Sequence, residues 1–198
     1  MTTVWFTADP HFGHAKIAEI RGFDSLQEHD QTIIDNLDRQ VGKRDTLWIL
    51  GDISSGASLG QKTALETLKA TFTDTERNIH CITGNHDGAH PMHRNYLRWD
   101  KAYREVFESV SPFGRRKIDG HNVWLSHFPW NGGGDHTTTD RYSSVRLNDN
   151  GVDWIIHGHN HSSEKANRQL RQIHVGLDAW GLKAASINDI ADIIRSDN

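Results

Sequence analysis

Five short polar clusters in the sequence carry side chains of the types that bind divalent cations. They are Asp9-Pro10-His11, Gly51-Asp52, Gly84-Asn85-His86-Asp87, Ser126-His127-Phe128 and His157-Gly158-His159-Asn160-His161. Carboxylate and amide oxygens and imidazole nitrogens, without thiolate, suit Mn, Fe, Ni, Co or Zn. Each cluster alone is a common pattern, but together they predict a metal centre.

The spacing within these clusters suggests how the donors are arranged. In extended backbone, residues i and i+2 project to the same side, so Asp9 with His11, and His159 with His161, are expected to direct two donors into one space. A carboxylate has two oxygens and can bridge two cations, and Asp52 is the natural candidate for this role. One shared carboxylate with three further donors on either side gives two sites from seven residues.

A pair of cations at such a site predicts a particular chemistry. Two metals about 3.5 to 4 Å apart lower the pKa of a shared water and neutralise a phosphate during in-line displacement. The departing alkoxide still needs a proton, and a histidine beside a ligand but not on the metal can donate it. His86, next to Asn85, suits that task, so the sequence predicts hydrolysis of a phosphate ester.

The order of the motifs, D-x-H, G-D, G-N-H-D, a lone H after a strand, then G-H-x-H, resembles the calcineurin-like binuclear metallophosphoesterases along nearly the whole chain. The D-x-H-F-G-H opening from Asp9 to His14 and the tail from Val175 to Trp180 resemble the small single-domain bacterial and phage members. The resemblance implies that one cation is held by Asp9, His11, Asp52 and His161, and the other by Asp52, Asn85, His127 and His159. It also implies that His86 is the second-sphere acid and Asp87 its orienting partner.

The segment after Asp52 departs from one branch of that family. It reads Ile53-Ser54-Ser55-Gly56, without the D-x-x-D-R continuation of the protein serine/threonine phosphatases. An arginine there would bind the extra anionic oxygen of a monoester bidentately, so its absence disfavours a protein phosphatase. Because the resembling small members include phosphodiesterases, we expect small diesters as substrates, with 2′,3′-cyclic nucleotides foremost and 3′,5′-cyclic nucleotides and aryl diesters next.

Two other functions compete with this hypothesis. One is a phosphomonoesterase that acts on nucleotides or phosphoproteins, and the other is a non-catalytic metal-binding scaffold of the same fold. Scaffold relatives usually lose ligands or the acid histidine, whereas this chain has all seven ligand positions and His86. The scaffold is therefore the weaker alternative.

Four further side chains keep two interpretations each. His157 belongs either to the second sphere or to the core. His14 either contacts substrate or caps a helix. His136 and Arg141, in or beside the glycine-rich stretch from Asn131 to Thr139, either contact a phosphate or base or belong to a solvated loop. The remaining isolated histidines are assigned to packing or to the surface: His29, His80, His90, His93 and His121.

Alternating strands and helices must position these residues. Apolar β-branched runs at Val4 to Thr7, Thr46 to Leu50 and Ile79 to Thr83 lead directly into polar clusters and predict buried strands. Helical patterns lie between them, one beginning at a Ser25 and Glu28 capping box and ending at Gly42, and one from Gln61 to Phe72. Such alternation predicts parallel strands whose carboxyl ends bring the clusters together.

The second half of the chain has shorter strands from about Val106 onward. Strands are predicted at Arg115 to Ile118, Asn122 to Ser126, Trp154 to His157 and Arg171 to Val175, and a last helix opens at Ser186. We predict a single domain over residues 1–198. Its fold class is α/β, with two packed mixed β-sheets flanked by helices in the four-layer α/β/β/α arrangement of the metallophosphoesterase sandwich.

The overall composition limits the partners. The chain has 198 residues and a net charge of -4, and it lacks a long run of Lys and Arg, which disfavours duplex nucleic acid. Its apolar runs are shorter than the roughly 20 residues of a membrane span, and the single Cys81 and the absence of a signal pattern predict a cytoplasmic protein. The expected partners are a small phosphodiester or nucleotide and two divalent cations per chain, with manganese as the working expectation.

Overall fold

The structure is a computed structural model that describes residues 2–130 and 139–196. Its strands are β1 (Val4–Thr7), β2 (Thr46–Leu50), β3 (Asn78–Ile82), β4 (Ser109–Ser111), β5 (Phe113–Ile118), β6 (His121–Ser126), β7 (Trp154–His157), β8 (Ala166–Asn167), β9 (Gln172–His174) and β10 (Ala185–Ser186). Its α-helices are α1 (Ala15–Ile20), α2 (Leu26–Gln40), α3 (Ser58–Thr71), α4 (Tyr96–Tyr103) and α5 (Ile187–Arg195). Most of the glycine-rich stretch, with His136, lies outside the described residues, so the expectation for that side chain stays a prediction.

The strands form two mixed sheets of five strands each. The first sheet has the order β10-β1-β2-β3-β4, in which β1 to β4 are parallel and β10 is antiparallel to β1. The second sheet has the order β5-β6-β7-β9-β8, with a parallel centre and antiparallel pairs at both edges. The predicted pair of mixed sheets flanked by helices is confirmed.

The buried faces of the first sheet explain why its strands are almost continuously apolar. Leu47 and Ile49 of β2 pack into a core shared with α2, α3 and α4, while Leu50 packs into a second core. That second core also contains Val123 and Leu125 of β6 and Ile190 of α5, so it fills the space between the sheets. Strands buried on both faces show no alternation with polar residues.

Helix termini follow the capping signals in the sequence. The side chain of Ser25 accepts a hydrogen bond from the backbone N–H of Glu28 at 3.0 Å and begins α2. Ser186 and Asp189 form a complete capping box at the start of α5. Such caps stabilise a helix end by about 1 kcal/mol.

Among the described residues, no helix combines the length and apolar character needed to cross a membrane.

The two sheets meet just beyond the carboxyl ends of β1 and β9. The backbone N–H of Ala8 donates to the carbonyl of Val175 at 3.1 Å, and the N–H of Leu177 donates to the carbonyl of Ala8 at 3.2 Å. These bonds fix the loop after β1 against the loop after β9. The polar clusters of both sheets are thereby brought to one edge.

Candidate metal centre

Six of the seven predicted ligands form two clusters at the edge where the sheets meet. The first cluster is Asp9, His11 and His161, and the second cluster is Asp52, His127 and His159. Within each cluster, one nitrogen or oxygen atom per residue lies within 4.8 Å of the others. The seventh candidate, Asn85, joins the second cluster through its Oδ1 atom, 3.1 Å from His127 Nε2.

Asp52 lies between the two clusters. Its Oδ2 atom is 3.3 Å from His127 Nε2 and 3.8 Å from His11 Nε2, and its Oδ1 atom accepts the backbone N–H of His86 at 2.7 Å. Burial alone would raise the pKa of Asp52, but the charge of the neighbouring His127 ring and its hydrogen bond outweigh it and hold that pKa well below its usual range. An ionised carboxylate between two donor clusters has the geometry of a bridging ligand.

Hydrogen bonds to Nδ1 fix the tautomers of two candidate ligands. His127 Nδ1 donates to the carbonyl of Leu50 at 2.8 Å, and His161 Nδ1 lies 2.8 Å from Asp178 Oδ2. Because these acceptors hold Nδ1, Nε2 is the atom of each ring that faces its cluster and is available to bind a cation. This arrangement is typical of metal-binding imidazoles.

The first cluster passes a geometric test for a cation. His11 Nε2 and His161 Nε2 are 3.2 Å apart, and two nitrogens each about 2.1 Å from one metal are about 3.0 to 3.4 Å apart in octahedral or tetrahedral geometry. Burial lowers the pKa of His11 well below its usual value, which favours the neutral, metal-binding form. The residues present therefore fit a divalent cation.

An arginine and a carboxylate distant in sequence support the first cluster. Arg21 donates from Nε and Nη2 to the two oxygens of Asp178 at 2.9 and 3.0 Å, and from Nη2 to the carbonyl of Asp9 at 2.8 Å. Burial would raise the pKa of Asp178, but hydrogen bonds from His161 and Arg21 hold it well below its usual range. Arg21 and Asp178 thus link the backbone of one ligand to the ring of another. The sequence reasoning missed both residues.

The second cluster is supported by Asp87. Its Oδ2 atom accepts the backbone N–H groups of Asp52 at 2.9 Å and Gly84 at 2.7 Å, while Oδ1 accepts the N–H of Ile53 at 3.0 Å and the hydroxyl of Tyr103 at 2.9 Å. Asp87 therefore joins the two loops that carry Asp52 and Asn85.

The expectation that Asp87 orients His86 is wrong. His86 Nδ1 donates instead to the carbonyl of Ser55 at 3.1 Å, and all the oxygens of Asp87 bond elsewhere. The physical reason is that four donors already surround the buried carboxylate of Asp87. The ring of His86 is nevertheless held, and its Nε2 atom lies 3.9 Å from Asp52 Oδ2 on the side of the metal centre.

The predicted extended geometry of the paired ligands is also wrong. Asp9, His11, His159 and His161 have φ values of 58°, 51°, 73° and 48°, in the left-handed region. The reason is that β1 and β7 end before their ligands, which lie in the loops that follow. As a result, Asp9 and His11 do meet in the first cluster, but His159 belongs to the second cluster and His161 to the first.

Two glycines allow the backbone to pass directly behind the carboxylates. A Cβ on Gly84 would lie 2.4 Å from Asp52 Oδ1, and one on Gly158 would lie 2.5 Å from Asp9 Oδ2. A residue with a Cβ at either position would collide with the carboxylate unless the loop shifted. The glycines of the G-N-H-D and G-H-x-H motifs are thus explained by space.

The less certain candidates fall in different places. His14 caps α1 by accepting the N–H of Ile17 at 3.4 Å, and it also lines the cleft at the metal centre, as does Arg141. His157 is buried and donates to the carbonyl of Gly158 at 2.8 Å, and burial lowers its pKa to about 3, so it lies in the core. His93, which the sequence assigns to packing or to the surface, donates from Nε2 to the carbonyl of Asn85 at 3.0 Å.

Comparisons with known proteins agree with the site. The model of the family described as calcineurin-like phosphoesterase matches residues 2–163, a range that includes all seven candidate ligands but not Asp178. The gene 66 protein of Mycobacterium phage L5 is 45% identical over 205 residues, covering 98% of this chain and 95% of the relative. The gene 66 protein of Mycobacterium phage D29 is 44% identical over 187 residues, covering 91% and 90%.

A solved structure shares the fold. A protein of unknown function from Aquifex aeolicus superposes with a TM-score of 0.71 at 20% identity, covering 98% of this chain and 100% of that protein. At this identity the likeness concerns the arrangement of the two sheets.

Proposed function

The chain belongs to the calcineurin-like phosphoesterases and is a hydrolytic metallophosphoesterase, and from this premise we propose that its substrates are small phosphodiesters. The observation that carries the proposal is the loop after Asp52, in which Ile53 and Ser54 are buried and an arginine clamp for a monoester is missing. A diester has one anionic oxygen fewer than a monoester and does not need that clamp.

Two cations are proposed to bind as the sequence suggested. The first would be held by Asp9, His11, Asp52 and His161, and the second by Asp52, Asn85, His127 and His159. When bound, two divalent cations supply a hydroxide at neutral pH and neutralise the phosphate charge. Manganese is our proposed metal, supported by a donor set of oxygens and imidazoles.

His86 is proposed to donate the proton that the leaving oxygen needs. Its Nδ1 is committed to the carbonyl of Ser55, so Nε2 is the atom that can give a proton toward the centre. His86→Ala should keep both metals and lose roughly 10² to 10⁴ in rate on substrates with poor leaving groups. Nitrophenyl esters should lose less, and an equal loss on both kinds of substrate would argue that His86 stabilises phosphate charge instead.

The cyclic 2′,3′-phosphate of a nucleotide is the substrate that we propose foremost. Its ring is strained and its leaving oxygen stays tethered, so attack needs only modest help from a positioned acid. The net charge of -4 also supports a small substrate over a long polyanion.

The cytoplasm is our proposed location, supported by the single buried cysteine.

A substrate panel tests this function. We would measure kcat/KM with Mn present for 2′,3′-cyclic AMP, 3′,5′-cyclic AMP, bis-nitrophenyl phosphate and nitrophenyl phosphate. The diesters should be preferred, with 2′,3′-cyclic AMP among the best. A monoester that exceeds every diester by about tenfold, which is about 1.4 kcal/mol of transition-state stabilisation, would overturn the proposal.

A monoesterase is the second candidate because Arg141 lines the metal cleft. If this guanidinium binds a monoester oxygen, Arg141→Gln should lower kcat/KM for nitrophenyl phosphate more than for bis-nitrophenyl phosphate. Under the diester proposal, the two substrates should be affected alike. The ratio of the two losses therefore separates the candidates.

A further inference from the structure

Two cavities open beside the candidate metal centre and share a wall. The metal cleft, about 350 Å³, is lined by ligands of both clusters. A second cavity of about 470 Å³, called here the side cavity, lies next to it and is lined among others by Gln61, Arg94, Asn95 and Trp99. Asn85 and His86 line both cavities. The proposed proton donor therefore stands at the boundary between the metals and a separate space.

The side cavity has fixed walls. Gln61 is buried, accepts the backbone N–H of Gly88 at 2.7 Å and donates to the carbonyl of Gly56 at 2.8 Å. The indole of Trp99 lies directly on Gly88, where an added Cβ would be 2.3 Å from the ring. The cavity is therefore pre-formed, and its volume lies within the range of about 300 to 1,000 Å³ that is usual for small-molecule sites.

The mouth of the side cavity presents polar groups that the protein does not use. In residues 2–130 and 139–196, the side chains of Arg94 and Asn95 make no hydrogen bond, and Arg94 has no carboxylate partner. Arg94 is exposed, while Trp99 is half-buried. An unpaired guanidinium and an aromatic ring that line the same cavity are suited to a ligand that combines a planar base with a phosphate.

We propose that, for acyclic diesters, the side cavity binds the leaving alcohol of the substrate, and that this alcohol is a nucleotide carrying a further phosphate. The inference rests on the proposed function, since it takes His86 as the group that protonates the leaving oxygen. The leaving oxygen must lie at His86, and because His86 lines both cavities, the rest of the leaving group would extend from the metal cleft into the side cavity. The base would lie against Trp99 and the further phosphate at Arg94.

The reaction is balanced without another reactant. A water oxygen forms a bond to phosphorus as the bond from phosphorus to the leaving oxygen breaks. The proton on His86 Nε2 passes to the leaving oxygen, the attacking water releases one proton to solvent, and His86 regains one proton from solvent. The products are a phosphomonoester left in the metal cleft and a free nucleotide alcohol in the side cavity.

Dinucleotides with one additional phosphate test the proposal. We would compare kcat/KM for ApA, for ApA with a 5′-terminal phosphate and for ApA with a 3′-terminal phosphate, and identify the products by chromatography. The dinucleotide whose additional phosphate is on the leaving nucleoside should be preferred over ApA by roughly tenfold, the lower end for a hydrogen bond to a charged group. Arg94→Gln should abolish that preference.

Arg98→Gln is the matched control, because Arg98 is exposed close to Arg94 in the sequence, on helix α4 next to Trp99, and does not line the cavity. It should retain the preference. A wild-type enzyme without the preference, or an Arg94→Gln variant that keeps it, would overturn the role of the cavity.

A binding measurement tests the side cavity without turnover. Adenosine 3′-phosphate or 5′-phosphate, matching the leaving product, should bind the protein in calorimetry roughly tenfold more weakly after Arg94→Gln or Trp99→Leu. Hydrolysis of bis-nitrophenyl phosphate without hydrolysis of any dinucleotide would overturn the cavity proposal alone. Failure to hydrolyse any diester would overturn the proposed function and the cavity proposal with it.

Discussion

The two candidate metal clusters are held in place by different parts of the molecule. In the first cluster, the side chains of Asp178 and Arg21 position His161 and the backbone of Asp9. In the second cluster, the support comes from the main chain, because His127 donates to the Leu50 carbonyl and the loop amides donate to one buried carboxylate.

Because of this difference, a substitution in the support of the first cluster should change mainly metal affinity. A substitution in the support of the second cluster should change metal affinity and fold stability together. The side chain of Asp178 is 18% exposed, whereas Asp87 is fully buried, so the first cluster can be loosened with less damage to the packing than the second. Asp87 and the loops of the second cluster adjoin the core beneath them, and Tyr103 is part of that core. A substitution there should disturb the fold as well as the site.

The largest effect is expected at the residue that both clusters share. Asp52→Asn keeps the shape and the acceptor for the His86 amide but removes the negative charge, so both cations should bind more than about 100-fold more weakly. His161→Ala should empty chiefly the first cluster. Elemental analysis at saturating Mn should give two metals per chain in wild type, and one or none in wild type would contradict the two-metal arrangement.

A large loss of stability is expected when the support of the second cluster is removed. Asp87→Asn replaces an acceptor with an amide group that faces backbone donors, and it should lower the free energy of unfolding by about 2 to 4 kcal/mol. Tyr103→Phe removes one of the same hydrogen bonds and should cost only about 1 kcal/mol. Urea unfolding of the metal-free protein measures both, and equal losses would show that the amide bonds to Asp87 contribute little.

The support of the first cluster should affect metal binding with a smaller change in stability than Asp87→Asn causes. Asp178→Asn weakens the bond to His161 Nδ1 and the pair with Arg21, and should reduce metal affinity at the first cluster by about 10- to 100-fold. Asp149→Asn is the matched control, since Asp149 also accepts Arg171 with both oxygens at 3.0 Å but lies away from the site. Metal titration by calorimetry measures the affinity of each site. Equal weakening of both sites would contradict the hypothesis that Asp178 supports only the first cluster.

The smallest effect is expected at Asp45, which precedes β2 at the end of the first sheet opposite the metals. Burial would raise its pKa, but the backbone N–H groups of Thr3 and Gly42 outweigh this and lower it. A lowered pKa in the folded state contributes stability above the unfolded pKa of about 3.9, and this contribution is lost as the pH falls further.

Asp45→Asn should therefore be slightly less stable than wild type at pH 7, and the difference should shrink as the solution is acidified. Urea unfolding across the pH range measures this difference. Metal binding at both clusters should not change. A difference that grows on acidification would contradict the assigned sign.

The sequence predicted those parts of the fold whose burial leaves a pattern. Strands β1, β2 and β7 begin and end as expected, because their apolar runs stop abruptly at the polar clusters. Helix α4 was missed because Tyr103 alone among its residues is buried, and β10 was missed because it has two residues. Short elements held by tertiary contacts carry too little periodicity for recognition.

The site was predictable in its residue types but not in its supports. The ligands could be found because metal chemistry restricts them to a few side chains that follow strands. Arg21 and Asp178 are 157 residues apart, and their pairing follows only from the folded chain. The left-handed turns at the ligands were likewise hidden, since Asp and His occur in both extended and left-handed backbone.

The left-handed backbone of the ligands has an evolutionary meaning. In the described residues, five of the nine non-glycine positions with positive φ are candidate ligands: Asp9, His11, Asp52, His159 and His161. A left-handed conformation costs a non-glycine residue roughly 1 kcal/mol or more, and glycine would avoid that cost. Selection for a stable fold alone would favour glycine at all five positions, so the side chains found there mark a trade of stability for catalysis.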